Sequence, residues 1–183
     1  MVAFQQRVMV FIDGSNLFRG FKNYAPGVNY SVLKIIDKVK DNRYLVRPYY
    51  FSGEPVPIKQ GQKAFFDRLR YEGVDVSTRP LKQRTKVQKC PYDHEENCEI
   101  TYQIEKGVDV ALITKMLSFA FKGAYDVAIL ISGDEDFVEA VDEIRNLGKR
   151  VEICSFKESI SPALRKLADK FVTLNDIIDD VKI

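Results

Sequence analysis

Four aspartates stand where side chains could do chemistry. Asp13 follows the apolar run at 8–12, and Asp134 and Asp136 follow a second such run at 127–131. Asp109 opens a segment in which Leu112, Ile113, Met116 and Ala120 recur at helical spacing, so it ends the inward-facing stripe of that helix. Like charges crowded within a few ångströms repel one another unless something neutralises them. A hard divalent cation such as Mg²⁺ or Mn²⁺ does so through oxygen ligands alone. Such ions also activate water and stabilise charge on a phosphodiester oxygen. Asn16, shortly after Asp13, adds an amide that could orient a ligand, a metal-bound water or the Asp13 loop.

Each acid also has a plainer reading. Asp134 could cap the following helix, and Asp136 could favour its positive end. Asp13 with Gly14 could be turn chemistry, and Asp109 could interact with a helix N-terminus. Those readings account for the acids singly. They account less well for all four together.

For the acids to meet, the fold must carry distant segments to one edge. Residues 8–12 and 127–131 have the continuous apolar pattern of strands buried on both faces. Around them, helical segments are expected at 17–23 (one or two turns), 32–40 behind Ser31 as N-cap, 58–71, 108–121, 136–147 and 162–170. Gly73, Gly123 and Gly148 fit as helix stops. Further strands are expected at 44–51, 74–79, 151–154 and 171–174, with Pro48 marking a strand end or edge. The stretch 82–105 is polar and irregular, a loop or hairpin insertion in a single domain spanning 1–183. Strands alternating with helices indicate an α/β fold around a mostly parallel sheet. The two most apolar strands should lie centrally and side by side. Ligands of such sheets bind beyond the carboxyl ends of strands where strand order reverses, and Asp13 and Asp134 both stand beyond such ends.

The rest of the sequence narrows the choice of chemistry. A net charge of +2 leaves affinity for nucleic acid to local clustering. Arg79, Lys82, Arg84, Lys86 and Lys89 form such a cluster with no acid among them. It reads either as a solvated face or as a rim for phosphates, which Arg19 and Lys22 would extend. Tyr49, Tyr50 and Phe51 could stack bases, although core packing is expected for at least two of them. No apolar run is long enough for a membrane span, and 8–12 is too short for a signal peptide. Three cysteines, an odd number, argue for a reduced, cytoplasmic protein. Cys90, His94 and Cys98 could hold structural Zn²⁺ with Asp93 or Glu95, but the spacing matches no standard finger. Cys154 reads as a buried residue. A single histidine gives little support to Ser-His-Asp or Cys-His catalysis, and no G-x-x-x-x-G-K-S/T loop is present.

The segments FIDGSN (11–16), KGVDVAL (106–112), SGDEDF (132–137), GKRVEI (148–153) and SPALRKLADKFVTL (161–174) together resemble the NYN domain. More specifically they are similar to its LabA-like branch, a relative of the PIN-domain nucleases. The resemblance implies a three-layer α/β/α sandwich of PIN-like, Rossmann-like form and a metal-dependent ribonuclease site. Its members would be Asp13, Asn16, Asp109, Asp134 and Asp136, with Ser132 as an adjacent polar contact. One position departs from the pattern: Lys115 stands where relatives often carry an aspartate. On a regular helix it lies about 240° around from Asp109, a solvated residue or a cation near the rim.

The leading expectation is therefore a Mg²⁺- or Mn²⁺-dependent ribonuclease acting on single-stranded RNA or on a flexible part of a structured one. The rival is a non-catalytic RNA-binding or regulatory module that keeps the acidic pocket, and Lys115 favours it. A phosphotransfer enzyme with an aspartyl nucleophile fits less well, because Gly14 and Ser15, not a second acid, follow Asp13. Self-association into a homo-oligomer is compatible with any of these.

Overall fold

The computed structural model describes residues 5–89 and 97–183. The first half of the chain runs β1 (Arg7–Asp13), α1 (Gly14–Tyr24), α2 (Val32–Lys40), β2 (Tyr44–Glu54), α3 (Gln60–Tyr71) and β3 (Asp75–Pro80). An antiparallel hairpin, β4 (Lys82–Lys89) and β5 (Asn97–Ile104), precedes α4 (Val108–Phe121). Then come β6 (Val127–Ile131), a 3-10 turn (Glu135–Phe137), α5 (Val138–Asn146) and β7 (Arg150–Ser155). The chain closes with α6 (Pro162–Leu167), β8 (Lys170–Thr173) and α7 (Leu174–Val181).

Six strands form one sheet in the order β3-β2-β1-β6-β7-β8, and every pair in it is parallel. Alternation along β1 explains the layers. Val8, Val10 and Ile12 pack with Leu17 and Phe21 of α1, with α2, α3 and α7 on that face. Met9 and Phe11 point the other way, to Leu112 and Met116 of α4 and to α5 and α6. Fully burying side chains of this size stabilises by about 1.5–3 kcal/mol each. That gain on both faces is why β1 and β6 are continuous apolar runs. The result is the three-layer α/β/α sandwich, with the two apolar strands central and adjacent. Strand order reverses between β1 and β6, and a ligand site is expected at their carboxyl ends.

Several boundaries differ from expectation for identifiable reasons. Helix α1 starts at Gly14, not near Leu17, because the Asp13 side chain caps it by accepting from the Asn16 N–H. This cap overrides the weak helix propensity of Gly-Ser-Asn. Pro48 lies inside β2, not at its end. The β3 partner begins only at Tyr49, so the missing N–H falls where β2 still has an open edge. Helix α6 stops at Leu167, and the chain turns extended at Ala168 to enter β8. Helix α7 was not foreseen. Thr173 caps it through its hydroxyl, and it buries Leu174 and Val181.

One ion pair closes the amino end of the sheet. Glu152 of β7 is 3% exposed, and Arg43 forks onto it with Nη1–Oε1 at 2.8 Å and Nη2–Oε2 at 2.9 Å. The same guanidinium donates to the Val39 and Lys40 carbonyls, tying the end of α2 to the sheet. Removing one partner strands a buried charge, whereas replacing both with apolar groups does not. Arg43→Met should cost about 3–5 kcal/mol in urea unfolding, and the Arg43→Met/Glu152→Met double variant should recover most of it. Equal losses in both variants would show that the pair is not the cause.

Candidate functional site

The site grows from the end of β1. Asp13 shares its strand parity with Met9 and Phe11, so its side chain leaves the sheet on the α4 side. It is 2% exposed. Its Oδ1 accepts from the Asn16 N–H at 2.9 Å, and its Oδ2 accepts from the Ser132 hydroxyl at 3.1 Å. Ser132, just past β6, also accepts from the Asp134 N–H at 3.3 Å. The Asn16 side-chain oxygen accepts from the Gly133 N–H at 3.2 Å, and Asp134 accepts from the Asp136 N–H at 3.2 Å. These bonds lace the β1 and β6 ends into one unit. Gly133 is required by close approach, since a Cβ there would meet the Ser159 carbonyl oxygen at 2.3 Å.

The electrostatics tie these groups to α4. Burial pushes the Asp13 carboxyl up to about 6; the negative charges of Asp109 and Glu105 push the same way, against the stabilising bonds from Asn16 and Ser132. Asp109, half-buried in the first turn of α4, is also raised, first by burial and then by Glu105, Asp134 and Asp136. The charge of Asp109 thus bears on Asp13, and those of Asp134 and Asp136 bear on Asp109. Asp13 is sealed beneath, Asp134 is half-buried, and Asp136 is exposed at the rim.

A fifth acid went unforeseen. Glu105 follows β5, and its Oε2 accepts from the Ser15 hydroxyl at 2.6 Å and from the Gly53 N–H. It bridges the starts of α1 and α4 to the end of β2. A signal for it was present as an acid one helical repeat before Asp109 in EKGVD. It stands at the tail of the polar insertion, where no apolar periodicity points to it.

Among the described residues no three acids or other metal-binding side chains converge closely enough to enclose an ion. The donor chemistry nonetheless fits a hard divalent cation. It consists of carboxylates, and burial, together with the charges of Asp109 and Glu105, disfavours the ionised form of Asp13 unless a cation offsets it.

The other candidates fall into distinct places. Arg19 and Lys22 are exposed on α1, and Arg79 is exposed on β3 opposite Gly53. Lys82, Arg84 and Lys86 are exposed on β4 and share strand parity. Tyr49, Tyr50 and Phe51 are all buried. Ser132 is 1% exposed and spends its hydroxyl within the site. Lys115 lies six residues along α4 from Asp109, about 9 Å down the helix axis. Its ammonium stacks on Tyr49 and Phe119, at 5.3 and 5.5 Å from the ring centroids. It is partly exposed, with its charge held over these two rings. Cys90 and His94 of the zinc expectation lie outside the described residues. Cys98 is opposite Gln88 in the hairpin.

Comparison with known proteins agrees with this architecture. Over 173 residues the chain is 27% identical to the low amplitude and bright protein LabA of Synechococcus elongatus, covering 93% of this chain and 85% of that protein. An uncharacterized protein of Sinorhizobium fredii is 37% identical over 68 residues, which is 36% of this chain and 32% of that one. The crystal structure of a protein of unknown function from Vibrio parahaemolyticus superposes with a TM-score of 0.74 at 20% identity, covering 100% of this chain and 99% of the other. That likeness is one of fold. The NYN domain profile matches residues 7–175. The chain belongs to the NYN domain family.

Proposed function

We propose that this protein is a Mg²⁺- or Mn²⁺-dependent ribonuclease that cleaves single-stranded RNA in the cytoplasm, as a single domain spanning 1–183 with the β4–β5 hairpin as an insertion. The observation that carries the reading is Asp13. A carboxylate sealed at the reversal point of a parallel sheet, raised by burial and then by neighbouring acids, calls for a cation there. Asp13, Asp109, Asp134 and Asp136 would hold it, and a bound cation would polarise the phosphodiester and activate water. The chain's own contribution is positioning. Asn16 and Ser132 fix the Asp13 carboxylate, and Asn16 also holds the Gly133 amide, setting the turn that carries Asp134 and Asp136. Rigidity of this kind is what a site needs to hold reacting groups within a fraction of an ångström.

The hairpin supplies the substrate grip in this reading. Arg84 is opposite Tyr102 and Lys86 opposite Ile100, so cations and an aromatic ring share one face of the ribbon. Such a face suits phosphates and stacked bases without reading sequence. The rival reading, a binding or regulatory module, is favoured by one observation. The acids as they stand do not enclose an ion.

Three outcomes test this. Purified protein with Mn²⁺ should cleave labelled RNA, and Asp13→Asn and Asp134→Asn should abolish cleavage while melting cooperatively. Equal cleavage by all three proteins would indicate a contaminant. Without divalent cation, the contribution of Asp13 to stability should fall as pH rises. Because Asp13 titrates at about 6 when folded, above its ordinary 3.8, its contribution is full below the lower value and lost through the upper one. The difference between wild type and Asp13→Asn should therefore change by up to about 3 kcal/mol between pH 4 and 7, and Mn²⁺ at pH 7 should stabilise only wild type. Parallel pH curves would remove the buried-charge account. Replacing Lys82, Arg84 and Lys86 with Gln should flatten the slope of log affinity against log salt by about 2. An unchanged slope would return those cations to the solvated-face reading.

A further inference from the structure

Across the crest formed by the ends of β1 and β2, on the α1–α3 side, lies a cavity of about 600 Å³. Phe18, Tyr50, Phe65 and Phe66 wall it, and Ser15 and Glu105 form the side nearest the acids. We infer that this cavity is a nucleobase subsite: one base of a single-stranded RNA stacks in it while an adjoining phosphate lies over the aspartates. The inference rests on the ribonuclease reading and adds to it the feature of RNA that the protein grips beside the scissile bond.

Continuity is the first support. Asp13 and Gly14 are consecutive, with Asp13 at the acids and Gly14 in the cavity wall. Glu105 belongs to both, since its charge bears on Asp13 and Asp109 while its carboxylate accepts from Ser15 in the cavity. A nucleotide carries a phosphate at one end and a flat base at the other, and Gly14 in the cavity wall directly follows Asp13.

The chemistry of the walls is the second. Phe18 is 61% exposed and Phe65 36% exposed, so these rings stay in solvent at the opening. Behind them Tyr50 meets Phe65 edge-on at 5.7 Å, and Phe65 meets Phe66 at 5.7 Å, an aromatic wall already assembled. Gly14 permits it, because a Cβ there would meet the Tyr50 ring at 2.4 Å. Aromatic walls with few polar groups are the usual make-up of a pocket for a flat organic ligand. The Glu105 carboxylate repels phosphate and accepts from the N–H groups of a base edge. Exposed Arg19 and Lys22, on the same helix as Phe18, suit the flanking phosphates.

The test pairs protein variants with a scanned RNA. Affinity for a short single-stranded RNA is measured with each nucleotide in turn made abasic, for wild type and for Phe18→Ala/Phe65→Ala. One abasic position should weaken wild-type binding roughly 5- to 100-fold, the usual worth of one stacked base. The variant should bind intact RNA that much more weakly and ignore the abasic position. Phe18→Leu/Phe65→Leu, which keeps apolar bulk but not flat rings, should behave like the alanine variant and guards against a folding artefact. Wild-type affinity in both variants, or an undiminished response to the abasic position, overturns the subsite alone. Failure of wild type to bind any RNA overturns the subsite and the ribonuclease reading together.

Discussion

The hydrogen bond from Ser132 to Asp13 joins the ends of two strands that the chain makes more than a hundred residues apart. Each strand is anchored by apolar burial on both faces, so neither end can drift to relieve the charge between them. A carboxylate on a loop would turn to water. Asp13 cannot, and its raised titration records that constraint. The turn bearing Asp134 and Asp136 inherits its place from the same bond, through the Ser132 oxygen and the Asn16 amide. Asp109 arrives by a different route, at the head of a helix whose depth is set by Leu112 and Met116.

The crest between the two faces of the sheet then divides the labour. On the α4 side it presents charge, and on the α1–α3 side it presents rings. Glu105 stands on the divide, held by Ser15 and the Gly53 amide. Small residues make the divide thin. Gly14 and Gly53 let Tyr50 and Glu105 approach the backbone more closely than any side chain there would allow. Lys115 makes its cation–π contacts with Tyr49 and Phe119 further along α4 from Asp109.

Much of this was legible in the sequence where the signal is local. Strand β6 and helix α4 were read to the residue, because an uninterrupted apolar run and a glycine stop are properties of a few neighbours. The places of Asp13 and Asp134 at the carboxyl ends of β1 and β6 followed from the same runs. What escaped was made by distant partners. Glu105 owes its role to Gly53, fifty-two residues away, and nothing beside it in the chain announces that. The aromatic cavity draws on α1, β2 and α3 at once, and Phe18 or Phe65 alone looks like any surface phenylalanine. The start of α1 was misplaced because one aspartate serves both as helix cap and as site carboxylate.

The β4–β5 ribbon shares no ladder with the six-stranded sheet. A two-stranded ribbon contributes little to the cooperative stability of a domain. Residues on it are therefore nearly free of the folding constraint that governs β1 and β6. Selection can rewrite the ribbon's charges and rings one at a time, while the aspartates and the sheet beneath them stay unchanged. Divergence within this architecture should accordingly accumulate on the ribbon first.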